Sequence, residues 1–167
     1  MKFSTSDIMK NGIWLTLPPL LFSLSLMIIA PTALTPAEFN KGIPDILIYG
    51  ETIGRIIVFA MPAFFYVGLS TKTQHQGAIV YSAGVALYCL TYATQNYFPY
   101  SAWSKSMIGF TASAYTNLFW MIGLGLMGQD FYFPKWLRYR PIFYIAPTTI
   151  FIILHVTHTV VYFRLNF

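Results

Sequence analysis

Runs of about twenty apolar residues, separated by short polar connections, recur along this chain. A segment of that length survives in hydrocarbon only if each backbone N–H and C=O is paired internally, so each run reads as a helix. Against a hydrocarbon core of about 30 Å and a rise of about 1.5 Å per residue, five runs qualify. They are 12–30, 46–69, 77–97, 107–128 and 141–165. The expected fold is therefore all-α: a single-domain, polytopic transmembrane helical bundle of five spans. Composition supports this, because only 9% of the 167 residues are charged, against about 25% in soluble domains. The first run is long for the core of a cleaved signal, contains Pro18 and Pro19, and is expected to stay in the mature chain.

Ten basic and five acidic residues give a charge of +5, but the cations form no stripe suited to phosphate tracking, which argues against nucleic acid as a partner. Their distribution does orient the chain. Lys2, Lys10, Lys72, Lys135, Arg138 and Arg140 fall on one side, and Lys41 and Lys105, with Glu38 and Asp45, on the other. The excess predicts an N-in, C-out multi-pass protein of the inner (cytoplasmic) membrane. Trp14, Trp103, Trp136, Tyr97, Tyr100, Tyr132 and Tyr139 lie near span ends and read as interfacial anchors, with Phe131–Pro141 as an interfacial stretch. The longest connection, from Pro31 to Asp45, is able to fold back as a partial lid. The single cysteine, Cys89, excludes an intrachain disulfide and reads as packing.

Placed by depth, the intramembrane polar residues converge on the outer half. Glu51 and Arg55 lie there in the second run, Tyr88, Tyr92 and Gln95 in the third, Tyr115 and Asn117 in the fourth, and His155 and His158 in the fifth. A lone charge in hydrocarbon costs at least ~2.5–3.5 kcal/mol, so Glu51 and Arg55 are expected to face protein or a wet cavity. Their spacing of four lets them pair. His155 and His158, three apart in HVTH, share a helix face. Two histidines fall short of the three or four ligands of a zinc site, so no metal is expected. A haem could use one histidine, but so could an ordinary interhelical hydrogen bond, and no cofactor is expected. Trp120 joins the tyrosines as lining for an apolar body. Pro62 and Pro147 are expected to kink their helices, and Gly84, Gly123, Gly125 and Gly128 to permit close packing.

The chain carries no GxSxG, HExxH or phosphate-binding loop, and no second half repeats the first. The strings ETIGRIIVFAMP, from Glu51 to Pro62, and SAWSKSMIGFTASAYTNLFWMIG, from Ser101 to Gly123, resemble those of small bacterial polytopic integral membrane proteins. That resemblance implies membrane residence and no particular activity. Size and span number are also similar to tryptophan-rich sensory proteins of the translocator family, whose tryptophan and proline motifs are missing here.

The leading expectation is a protein that binds a small amphipathic or lipid-like ligand in an outer-leaflet-level polar and aromatic cavity, as a transporter or transporter component. Its site is expected to comprise Glu51, Arg55, Tyr88, Tyr92, Gln95, Tyr115, Asn117, Trp120, His155 and His158. Two alternatives stand beside it. One is an intramembrane enzyme acting on a lipid or isoprenoid, with Glu51 and His155 or His158 as acid and base. The other is an accessory subunit whose polar belt meets a partner membrane subunit or a second copy. Membrane lipids are expected partners in each case.

Overall fold

The computed structural model describes residues 8–30, 35–133 and 136–167. Lys2, Pro31 and Lys135, which entered the orientation and loop readings, lie outside the described residues. Asn11 opens a 3-10 turn, Gly12–Thr16, by accepting from the Ile13 N–H at 2.8 Å. Helix α1 (Leu17–Ile29) follows, with Pro18 and Pro19 in the first turn, where the missing N–H groups would have had no helical partner. The order is then α2 (Pro36–Phe39), α3 (Asp45–Ala60), a 3-10 turn (Met61–Phe64), β1 (Phe65–Val67), α4 (Lys72–Tyr97), α5 (Met107–Phe110), α6 (Ala112–Met127), β2 (Gly128–Phe131) and α7 (Ile142–Asn166). Among the described residues, four helical segments are long and apolar enough to cross a membrane: Gly12–Ile29, Asp45–Phe64, Lys72–Tyr97 and Ile142–Asn166. At 16 residues α6 is shorter, and Thr111 separates it from α5.

Several expected boundaries move. The second run does not stay helical to 69. Pro62 supplies no N–H, so α3 ends at Ala60, tightens into the 3-10 turn and gives way to β1. The third run begins at Lys72 rather than 77, because Thr71 and Gln74 form a reciprocal capping box: the Thr71 hydroxyl accepts from Gln74 N, and Gln74 Oε1 accepts from Thr71 N at 3.1 Å. Pro147 lies inside α7, which continues through it from Ile142 to Asn166. The bundle is also not purely helical. β1 and β2 pair antiparallel, with Phe65 opposite Phe131, Val67 opposite Gly128 and an irregularity between. Asn11 bridges to Tyr66 beside them.

This ladder closes one end of the bundle and buries two residues expected as anchors. Tyr132 and Tyr139 are buried, whereas Trp14, Trp103, Trp136, Tyr97 and Tyr100 are exposed. Tyr139 donates its hydroxyl to the Gly125 carbonyl at 2.8 Å, and burial pushes its phenol above the ordinary range, keeping it a donor.

Helices in lipid gain little from apolar burial against each other, so their contacts depend on close backbone approach. A Cβ on Gly84 would lie 2.3 Å from the Trp120 nitrogen, and one on Gly123 would lie 2.3 Å from the Tyr81 nitrogen. These two glycines set α4 directly on α6. Helix α6 is the centre of the bundle, with Trp120, Met121 and Leu124 almost fully enclosed, and it packs on α7 at its other side. Helix α3 meets α7 less tightly: a Cβ on Gly50 would lie at an ordinary 3.4 Å from Leu154, and one on Gly54 at 3.3 Å from the Phe151 side chain. Helix α1 leans on α4, and the Tyr81 hydroxyl donates to the carbonyl of Leu15, in the 3-10 turn that leads into α1, at 2.7 Å. The α1 and α3 segments meet chiefly through their 3-10 turns, with Gly12 against Pro62. Among the described residues, α1 and α3 themselves make few direct contacts beyond those turns.

Candidate functional site

The Gly50 and Gly54 approach carries Glu51 into the interface between α3 and α7. Its side chain is almost fully enclosed. On α7, residues three apart share a face, and His155 and His158 both turn Nδ1 to this carboxylate: His155 to Oε1 at 3.2 Å and His158 to Oε2 at 2.6 Å. Neither contact has full hydrogen-bond alignment, so Glu51 Oε2 and both Nδ1 atoms have ionic proximity without a well-directed bond. Arg55, one turn along α3, completes the group by donating to Glu51 Oε1. Its side chain is 54% exposed, against 4% for Glu51.

The histidines are held by stacking. The His155 ring lies parallel to Phe151, and the His158 ring parallel to Phe39 of α2 at 4.4 Å between centroids. His158 also reaches the Phe39 carbonyl through Nε2 at 3.1 Å. Phe39 is seated by Tyr162, and Ile43, Phe110 and Tyr162 form a small apolar cluster beneath it. The segment expected as a partial lid therefore rests on the site through α2.

Helix α2 exists because Thr35 and Glu38 form a second capping box with Pro36 at the first helical position. The Glu38 carboxylate accepts from the Thr35 hydroxyl at 2.6 Å and its N–H at 2.9 Å. These bonds hold the Glu38 carboxyl below its usual range. Stabilisation of α2 by this box is thus present above the ordinary carboxylate range and is lost as pH falls through the lowered value.

The ten expected site residues do not share one chamber. Glu51, Arg55, His155 and His158 meet between α3 and α7. Gln95 joins α4 to α6, whereas Asn117 and Trp120 pair within α6, with the Trp120 ring edge-to-face against Phe59 of α3. Gln95 Oε1 accepts from Ser113 at 3.0 Å and Asn117 Oδ1 accepts from Trp120 Nε1 at 2.8 Å. The Asn117 amide donates back to the Ser113 carbonyl. Tyr115 turns its hydroxyl to the Ile108 carbonyl at 3.4 Å, away from either group. Tyr88 and Tyr92 stack on each other. Tyr88 lies beside Ser23 of α1 and close enough to Arg55 to feel its charge, and so links the seam between α1 and α3 to the carboxylate cluster. Many remaining hydroxyls are satisfied on their own helix, as Thr52, Thr94 and Thr157 are by the carbonyls four residues back.

Two apolar recesses lie elsewhere. One of about 490 Å³ is lined by Ile8, Trp14, Phe64 and Phe133 near the β-ladder, and one of about 230 Å³ by Ile79, Leu87 and Phe119 on the outside of α4 and α6. Among the described residues no group of three or more His, Cys, Asp and Glu is arranged to hold a metal ion. The sequence reading did not single out Gly50 and Gly54, the small residues that face Leu154 and Phe151 of α7 on either side of Glu51. Compared with protein-family models, curated proteins and solved structures, the chain gives no match.

Proposed function

We propose that this chain is a multi-pass protein of the cytoplasmic membrane that binds a small amphipathic, lipid-like molecule with an anionic headgroup, as a transporter or a component of one. In this reading α5 and α6 together make a fifth crossing, the N-terminus is inside, and the α2 end faces outward. The single observation that carries it is the contrast between Glu51 and Arg55. The carboxylate is enclosed, while the guanidinium is half exposed about 15 Å along α3 from Asp45. A cation at that depth is costly when bare to lipid. An anionic headgroup arriving along the α1 and α3 seam would neutralise it, with Tyr88 and Tyr92 against the apolar body. Enclosure of Glu51 and His158 favours binding over acid–base catalysis, since a substrate would have no approach to either group.

Native mass spectrometry on purified protein titrated with phosphatidylglycerol or phosphatidylcholine tests this. Wild-type protein is expected to retain the anionic lipid preferentially, and Arg55→Gln to lose at least about tenfold in occupancy, since charged hydrogen-bonded contacts are each worth about 1.5–3 kcal/mol. Arg55→Lys should keep part of the preference. Equal retention by wild type and Arg55→Gln would refute the assignment. A stoichiometric partner protein with no bound amphiphile would replace it with the accessory-subunit reading.

A further inference from the structure

His158 is 2% exposed, and each of its ring nitrogens faces an oxygen. Nε2 faces the Phe39 carbonyl, which can only accept, so Nε2 carries a hydrogen. Nδ1 lies 2.6 Å from Glu51 Oε2. Without a proton between them, a ring lone pair and a carboxylate lone pair would confront each other at that distance inside the membrane. The pair therefore needs one proton, held either as an imidazolium beside a carboxylate or as a neutral imidazole beside a carboxylic acid.

We infer that Glu51 and His158 together form a proton-binding site whose single exchangeable proton fastens the α2 segment to the bundle. With the proton bound, Nε2 donates to the Phe39 carbonyl and Nδ1 lies beside a carboxylate of compensating charge, and in the imidazolium form the parallel Phe39 ring adds cation–π attraction. When the proton leaves, one hydrogen remains on the ring and two acceptors compete for it. If the hydrogen turns to Glu51, the Phe39 carbonyl faces a bare lone pair. If it stays on Nε2, Nδ1 repels the carboxylate. Either outcome weakens the hold on Phe39. The titratable and charged groups around His158 are Glu51 and Arg55 of α3, His155 and Tyr162 of its own helix, and Glu38 next to Phe39. Glu38 acts in the opposite sense, since its capping box fails on acidification, so α2 is held between an acidic and an alkaline limit. The site goes beyond ligand binding at Arg55 and stands whether or not an amphiphile binds there.

The test uses full-length protein in detergent, with Cys89→Ala and an environment-sensitive fluorophore on Lys41→Cys, two residues beyond Phe39. Titration from pH 4 to 10 should give an alkaline release transition with one-proton steepness. That transition should be lost in His158→Asn and displaced in Glu51→Gln. Glu38→Gln, which keeps a capping side chain, should remove only the acidic transition. A label response flat through the alkaline range, or an alkaline transition that persists in His158→Asn, would overturn the inference. Because buried variants can misfold, the nitrogen resonances of ¹⁵N-histidine in the wild-type chain provide a second reading. His158 should keep Nε2 protonated below the transition, and a neutral ring bearing its hydrogen on Nδ1 alone would equally overturn it.

Discussion

Alanine at Gly84 or Gly123 is expected to remove most folded protein from a detergent extract. The atoms a new methyl would strike are the Trp120 and Tyr81 backbone nitrogens, each 2.3 Å from the ideal Cβ, and backbone cannot step aside as a flexible side-chain end can. The helices must separate. In doing so they forfeit the packing around Trp120 and the seam in which Ser113 meets Gln95. Overpacking a tight core costs about 1–3 kcal/mol where neighbours can shift, and more where they cannot. Alanine at Gly50 serves as the comparison, since its Cβ would sit at an ordinary 3.4 Å from Leu154. Fluorescence-detected size-exclusion profiles should show a monodisperse peak for Gly50→Ala and aggregated or missing protein for Gly84→Ala and Gly123→Ala. Normal profiles for the latter two would mean that α4 and α6 are not in backbone contact.

The second large effect belongs to Glu51. Changing it to alanine strips the enclosed His158 of its counter-group and leaves a hole at the α3 and α7 interface. Breaking one side of a buried ionic pair costs about 3–5 kcal/mol, and His158 can shed part of that by becoming neutral, so about 3 kcal/mol is expected. For a chain of this size that is a drop in Tm on the order of 10 °C. Arg55→Ala should behave differently, because a half-exposed cation at membrane depth is itself costly and its removal offsets the loss of the pairing with Glu51. The two substitutions therefore separate stability from binding: Glu51→Ala lowers Tm, while Arg55→Ala leaves Tm nearly unchanged and removes the anionic amphiphile. Equal thermal losses would place both side chains in the same buried environment, contrary to their exposures.

Apolar run length made the helical, membrane-embedded class legible, because hydrocarbon permits so few ways to satisfy a backbone. It was a poorer guide to where helices begin and end. Thr71 and Gln74 start α4 through hydrogen bonds that a hydropathy average does not register, and the polar residues Lys72, Gln74 and His75 hide that first turn. The β-ladder was equally hidden, since three residues in β1 and four in β2 pair across more than sixty residues of sequence and carry no alternating pattern long enough to notice. Depth alone grouped Glu51, Arg55, His155 and His158, which the structure brings together. It also swept in Gln95, Asn117 and Tyr115, because depth fixes the level of a side chain and leaves its rotation about the helix undetermined. Gly50 and Gly54, on the α3 face that meets α7, are a rotational signal for Glu51 that depth does not use, and no comparable marker fixes Tyr115.

The most direct measurement is a double-mutant cycle on thermal or denaturant stability with Glu51→Gln, His158→Asn and the combined variant. A carboxylate on α3 sharing a proton with His158 of α7 predicts a coupling of about 1.5–3 kcal/mol, the range of hydrogen bonds to charged groups. Additivity within about 0.5 kcal/mol would show that the two side chains do not interact, and would contradict a carboxylate–histidine pair joining α3 to α7.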